Sequence, residues 1–507
     1  MTGIAAYGCY LPLRRLPLAL LQGRKATEDG PERAVAWADE DSITMVVAAA
    51  RDCLAGRSRD AIDLVLFAST TYAFAEKQGA RIVARALGLP ASVQTVDVAH
   101  SLRGGTQALR AAFDAVAAGR AREALVVAAD CRMGAPGSEI ERNGGDAGVA
   151  FLIGAGRDSL VPAQAQHHPH PTLPHRGGGL PIMSLPLDGG GEVGVMSPPA
   201  TLATLMGSVE QGEEIVDVWR RADDRFVHSW EERFMTQHGF LEPALKAALS
   251  LKERHAAMQA DSWLWAVSAP DERSHRTLGK QLGVSHSGYW GKVGFAGAAD
   301  ALLQLAGALE EAQSGAHVAL IASGDGAEAL LFSVSRKAER PVLAPQLARR
   351  KPIDSLDRYR RARDLIFPEY PPADDQGISA TVHFRERDED ISLIGQACAC
   401  GTHQFPKGRV CVRCGKRDQF QPVSYAEATG RIVTYTLDAF FPSPDSPVPV
   451  AMVAVDDGPR IHMQVADIDA KDVQIGLPLR FAFRRIHQAG RRPNYFWKAI
   501  PITEDQP

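Results

Sequence analysis

The chain has 507 residues, 45% hydrophobic and 23% charged, with a formal net charge of −4. This suits a globular protein of several domains and gives no electrostatic case for nucleic acid or a membrane surface as partner. No apolar run is long enough to span a bilayer, and the start, MTGIAAYGCYLPLRRL, lacks the basic-then-apolar pattern of a secretory signal, so a cytoplasmic location is expected.

Along the chain, 63–68 (DLVLFA) predicts a strand buried on both faces. Residues 104–119 (GGTQALRAAFDAVAAG) predict a small-residue turn and an Ala/Leu-rich helix, and 123–129 (EALVVAA) a further buried strand. Strand, glycine-rich turn, helix and strand in that order mark a βαβ unit. The pattern returns about 190 residues later in 263–267 (WLWAV), 294–313 (GFAGAADALLQLAGALEEAQ) and 317–322 (HVALIA). Residues 1–335 therefore read as an internally duplicated α/β domain, its apolar helices buried between two sheets. A Pro-, Gly- and His-rich stretch at 163–197 has no period and reads as a disordered insertion.

Residues 336–390 read as a linker, basic and proline-containing at 337–352, with a short helix at 354–366. Residues 391–420 hold Cys398-Ala-Cys400 and, ten residues on, Cys411-Val-Arg-Cys414. Four soft thiolates on two tight turns suit a closed tetrahedral structural zinc site, with Gly401 and Gly415 easing the turns. The first pair is one residue tighter than the usual Cys-x-x-Cys, and Ala397 stands where its first ligand is expected. From 421 to 507 come short strand-like runs, 431–437, 449–455 and 460–465 among them, as expected for a small β-barrel.

The segment 97–109 (DVAHSLRGGTQAL) runs from a strand into a glycine-rich turn at a helix start, where backbone N–H groups can stabilise a nucleophile or an oxyanion. It is joined by GIAAYGCYLPLRRL near the start, DEDSITMVVAAARDCL (39–54), DCRMGAPGSE and GGDAGVAFLIG (130–154), VDVWRRADDRFVHSWEERF (216–234) and ASGDGAEALLF (322–332). On these stretches residues 1–335 resemble the archaeal-type HMG-CoA synthases of the thiolase-like superfamily. Residues from about 354 to 507 resemble a rubredoxin-like zinc-ribbon and OB-fold module, which in archaea is a separate small protein bridging a thiolase and an HMG-CoA synthase. The resemblance implies an internally duplicated five-layered thiolase fold followed by a zinc ribbon and an all-β OB-fold barrel. It also implies a homodimer, and a CoA thioester as ligand or substrate.

The same resemblance places the family's acyl-carrying cysteine at Leu102, its general-base glutamate at Thr70 and its histidine at Ser268, with a later asparagine near Lys292 or Val293. Leucine has no ionisable atom, so a thioester on residue 102 is impossible and the catalytic set reads as degenerate. Ser101, with His100 beside it, is the candidate substitute nucleophile, although neighbouring side chains on extended backbone face opposite ways. His275 and His286 read as surface or loop histidines, and Cys131 as a small core residue. Arg103, Gly104 and Gly105 outline a candidate CoA pocket. Two functions stay open. One is a non-catalytic subunit that binds or channels an acyl-CoA for a partner thiolase. The other is an active acyltransferase, running an HMG-CoA synthase-like condensation or its reverse with substituted residues. Nucleic-acid binding by the OB-fold is not expected, because its strands lack dense basic and aromatic interleaving.

Overall fold

The computed structural model describes residues 2–155, 201–258, 262–284, 288–366, 379–441, 443–489 and 492–502. The insertion expected at 163–197 and His286 lie outside these residues. The first half runs β1 (Thr2–Tyr10), α1 (Ser42–Cys53), β2 (Ile62–Ala68), α2 (Gly79–Ala86), β3 (Gln94–Val98), α3 (Gly104–Ala117), β4 (Glu123–Asp130) and β5 (Ala147–Ala155). The second half repeats that order as β6 (Ala203–Gly212), α4 (Glu242–Arg254), β7 (Leu264–Val267), α5 (Glu272–Leu282), α6 (Asp300–Glu311), β8 (His317–Ser323) and β9 (Gly326–Val334). Among the described residues it has no counterpart of β3.

Strands β2, β3 and β4 are parallel, as the βαβ pattern requires, and β5 and β1 extend the sheet antiparallel. The strand order is β7-β8-β9-β6-β1-β5-β4-β2-β3. The two half-sheets therefore share one ladder, joined where Ile4 pairs with Ala203. Along β4, Leu125, Val127 and Ala129 pack towards α1 and α2, while Ala124, Val126 and Ala128 pack towards α3 and α6. In the second half Ala319, Ile321 and Leu331 face α4 and α5 instead. Two-sided burial is why these strands are continuous apolar runs. The layers are thus α1/α2, first half-sheet, α3/α6, second half-sheet, α4/α5. The halves meet closely at the central helices: a Cβ on Gly105 would lie 2.4 Å from the Ala298 carbonyl oxygen, so no larger residue fits there.

Part of the segment expected as a linker is woven into this domain. Lys351 and Pro352 pair in parallel with Arg14 and Arg15. The helix α7 (Leu356–Ala362) packs Tyr359 against Leu16, Val35 and Trp37. Just beyond it Arg363 forms a buried ion pair with Asp146 at 2.6 Å. Charge and proline content suggested a free segment, but the pairing edge of Arg14–Pro17 that captures it is visible only in three dimensions.

A helix α8 (Ala380–Ser392) leads into a three-stranded ribbon of β10 (Ile394–Cys398), β11 (His403–Gln404) and β12 (Phe420–Ser424). The barrel follows as β13 (Thr429–Asp438), β14 (Val448–Val455), β15 (Arg460–Gln464), β16 (Pro478–Ala489) and β17 (Arg492–Pro501), in the order β15-β14-β13-β16-β17. A parallel bridge from Val465 to Ala499 brings its two ends together, which is OB-fold closure.

The barrel docks on the acidic run that starts α1. Arg484, buried, meets Glu40 at 3.1 Å, Asp467 at 3.0 Å and the Tyr10 hydroxyl at 3.1 Å. Lys498 reaches Asp39 at 3.0 Å, and the Tyr495 hydroxyl donates to Asp41 at 2.8 Å. Asp41 also caps α1, accepting from the Thr44 N–H at 3.0 Å. Arg51, further along α1, donates to the Ala426 and Phe481 carbonyls and to Glu427. Removing one partner of a buried ionic cluster leaves the rest uncompensated. Arg484→Met is therefore expected to cost about 3–5 kcal/mol, read as a lower denaturant midpoint, and Arg484→Met with Glu40→Gln to recover part of that loss.

Candidate functional site

The ends of β4, β7 and β8 and the turn before α3 surround a cleft with an empty volume of about 850 Å³, partly open to solvent. In open α/β sheets ligands bind at such carboxyl ends of strands. Leu102 lines the cleft together with Ser323, Gly324, Pro270, Phe295 and Arg132. The excursion between β6 and α4 adds Asp217, Val218, Trp230, Met235 and Phe240.

Thr70 is held away from this chemistry. Its hydroxyl and N–H donate to the two oxygens of Asp130 at 2.8 and 2.7 Å. The fully buried Asp130 also accepts from the Ser69 hydroxyl (2.9 Å), from the Thr71 N–H and hydroxyl (3.1 and 3.0 Å), and across the pseudo-symmetric halves from the Ala298 N–H (2.8 Å). Ser268 is buried beyond the cleft lining, next to Asp300. Burial pushes the Asp300 carboxyl up to about 7, against opposing hydrogen bonds from Ser268, the Ala296 N–H and Gln304. Of the three positions expected from the sequence resemblance, only Leu102 lines the cleft, while the side chains of Thr70 and Ser268 are engaged behind it.

The Ser101 hydroxyl faces Asp325 at 3.1 Å and accepts from the Arg103 N–H at 3.2 Å, so it serves the turn, and it is not part of the lining. Arg103 is buried and donates to the carbonyls of Gly324 and Asp325 and to Glu210. Its donors are thus engaged within the protein, and Gly105 answers to the close approach of Ala298 rather than to a ligand. His275 is buried on α5 outside the lining, Val293 is core and Lys292 is exposed. Cys131 is half-buried against the core rather than within it, and desolvation pushes its thiol up to about 12.

Two site features escaped the sequence. Asp130 ends a strand that read as uniformly apolar, and nothing local says that its partners come from both halves. Arg132 follows it, with its guanidinium 5.6 Å from the centre of the Phe295 ring, in the cleft. Burial pushes its pKa down, and the charges of Asp130 and Asp217 oppose that.

In the ribbon, the sulfurs of Cys398, Cys400, Cys411 and Cys414 all lie within 4.8 Å of one another. The Cys398–Cys414 and Cys400–Cys411 pairs are 3.7 and 3.6 Å apart. A tetrahedron with metal–sulfur bonds of about 2.3 Å has edges of about 3.8 Å, so this donor set fits a four-thiolate metal. The tight first pair does not prevent convergence. Cys398 N–H bonds the Thr402 carbonyl at 2.8 Å, and Ala397 stays on β10 opposite His403.

Residues 424–484 match the family model of the ChsH2 C-terminal OB-fold domain. The chain is 24% identical over 377 residues to the hydroxymethylglutaryl-CoA synthase of Pyrococcus horikoshii, covering 71% of this chain and 95% of that protein. It is 35% identical over 160 residues to that of Methanocella arvoryzae, covering 30% and 46%. A crystal structure of HMG-CoA synthase complexed with CoA superposes with a TM-score of 0.56 at 17% identity, over 75% of this chain and 93% of that one. β-Ketoacyl-[acyl carrier protein] synthase III from Thermus thermophilus does so with a TM-score of 0.51 at 18% identity, over 66% and 100%. The chain is therefore a thiolase-fold protein. More particularly, it is a homologue of the HMG-CoA synthases that carries a ChsH2-type OB-fold domain towards its C-terminal end. Among the described residues no helix is long and apolar enough to cross a membrane.

Because Asp300 titrates higher when folded than when unfolded, the native state keeps a proton that the unfolded chain releases between about pH 4 and 7. Its stabilising contribution is full below about pH 4 and is lost as pH rises through about 7. Thermal melts from pH 5 to 8 should therefore show a smaller decline with rising pH for Asp300→Asn than for the parent.

Proposed function

We propose that the thiolase-like domain binds an acyl-CoA in the cleft beside Leu102 and holds or channels it, without forming an acyl-enzyme, for a partner thiolase. The observation that carries this reading is Leu102 itself. The side chain in the cleft at the start of α3 has no atom that can attack a thioester, although the helix N-terminus that would favour a thiolate is retained. The engagement of Thr70 by Asp130 and the burial of Ser268 beside Asp300 support it, since neither side chain lines the cleft. The relatives' names and the CoA named with the solved synthase point to the same ligand class. A condensing acyltransferase with substituted residues is the second reading. It requires a nucleophile such as Ser101, and the orientation of that hydroxyl towards Asp325 speaks against it.

The four-cysteine ribbon is read as a structural zinc site, because a closed set of four thiolates leaves no open coordination position. A homodimer formed through the sheet of the first half, unit boundaries near 390 and 420, and a cytoplasmic location complete the reading.

Incubation with acetyl-CoA or acetoacetyl-CoA should leave the intact mass of the protein unchanged. Leu102→Cys, which places a thiol in the cleft at the start of α3, should gain a thioester adduct that the parent lacks. An adduct on Ser101 of the parent would replace the holding role with a serine-dependent acyltransferase. Metal analysis of the reduced protein should find one zinc per chain, falling towards zero in Cys411→Ser.

A further inference from the structure

The barrel leaves one stretch of strand edge uncovered. β13 pairs with β14 along its length but with β16 only over Thr429–Arg431, and the turn at Gly476 and Leu477 bonds the backbone of Ile432. Beyond Ile432 the register with β14 shifts by one residue, and Thr434, Tyr435, Thr436 and Leu437 are all exposed. The direction of their backbone groups follows from the far side of β14. The Val465 N–H donates to the Pro449 carbonyl, so Pro449 and, two residues on, Ala451 face β15. Their partners on β13, Leu437 and Tyr435, therefore turn N–H and C=O away from β14 and into the open edge. Among the described residues no strand or loop bonds them there. Exposed edges are ordinarily blunted by lysine, proline or charge, and Thr434–Leu437 carries none of these, only β-prone side chains and a leucine.

We infer that this edge is an interface between two copies of the chain, in which β13 pairs antiparallel with β13 of a second copy about a two-fold axis at Thr436. The backbone of 435 and 437 faces the open edge while that of 436 does not, so the two-fold ladder that uses both sets Tyr435 opposite Leu437 twice and Thr436 opposite itself. The strand is self-complementary in that register. Each tyrosine meets a leucine, the two Thr436 side chains meet each other, and each Asp438 carboxylate falls opposite a Thr434 hydroxyl, with the two carboxylates kept at opposite ends. The same register brings position 440 of one copy level with position 432 of the other, beside the turn that closes the edge there. Phe440, and Ile475 at that turn, are 98% and 67% exposed, and the contact brings these two apolar side chains to the same place. A ladder this short buries less than a stable dimer needs, so the association is weak and concentration dependent. It is separate from the homodimer proposed above through the sheet of the first half.

Thr436→Cys tests the register directly. The two copies of position 436 form a non-hydrogen-bonded pair with Cα atoms about 4.5 Å apart, within the range a disulfide spans. Mild oxidation of the zinc-loaded full chain at ~200 µM, where a contact of this size is populated, should join the two copies of position 436, as read by peptide mass spectrometry. Thr434→Cys is equally exposed but displaced about 13 Å along the strand from its own copy, so it should not cross-link to itself. In sedimentation velocity, Leu437→Lys should raise the concentration at which the parent associates about tenfold or more, because it sets a charge against each Tyr435. Absence of the 436–436 disulfide, an equal yield of self-cross-link from Thr434→Cys, or equal association of the parent and Leu437→Lys each overturns the inference. A parent that keeps one mass from ~1 to ~200 µM also overturns it, and that measurement needs no variant to fold.

Discussion

Asp130 ends β4 with no exposed surface, and its carboxylate ties the two halves of the duplicated domain together at the site. From the first half it gathers the Ser69–Thr71 turn. From the second it takes the Ala298 N–H, just before the central helix α6. Burying a carboxylate is costly, and here the cost is offset by charge-assisted hydrogen bonds worth roughly 1.5–3 kcal/mol each. One consequence is geometric. The chain leaving β2 is pinned through Asp130 to the start of the second half's central helix, which engages the Thr70 hydroxyl and N–H. Another is that Arg132, two residues on, is delivered into the cleft while Asp130 and Asp217 help to keep it charged.

A second buried electrostatic contact organises the rest of the chain. The run Asp39, Glu40, Asp41 both starts α1 and receives Arg484, Lys498 and Tyr495 from the barrel. Arg51, with its guanidinium 5.1 Å from the Trp497 ring centre, extends the contact along the same helix. The OB-fold domain is therefore fixed against the outer α1/α2 layer and shares its hydrophobic core. In this chain the barrel is part of the thiolase-like body, and whatever it contributes is presented in a constant orientation to the cleft.

The cleft sits at the start of α3, at the carboxyl ends of the strands. The glycine-rich turn into α3 and the close approach of Gly105 to Ala298 preserve the shape of a site that stabilises negative charge at a helix start. Leu102, whose side chain offers no nucleophile, lines it together with Arg132, Phe240 and Phe295.

Sequence alone determined the duplicated α/β order, the positions of the buried strands, the four-cysteine cluster and the all-β end of the chain. Those features are written in local periodicity and spacing: apolar runs mark strands covered on both faces, and closely spaced cysteine pairs mark thiols that converge. The joining of the half-sheets through Ile4 and Ala203, the capture of residues 351–363 by the first domain and the docking of the barrel on residues 39–41 were decided only by tertiary structure. So was the fate of Arg103, which is engaged inside the fold. Each of these depends on partners tens to hundreds of residues away, and an arginine looks the same in sequence whether or not an acceptor waits for it in space.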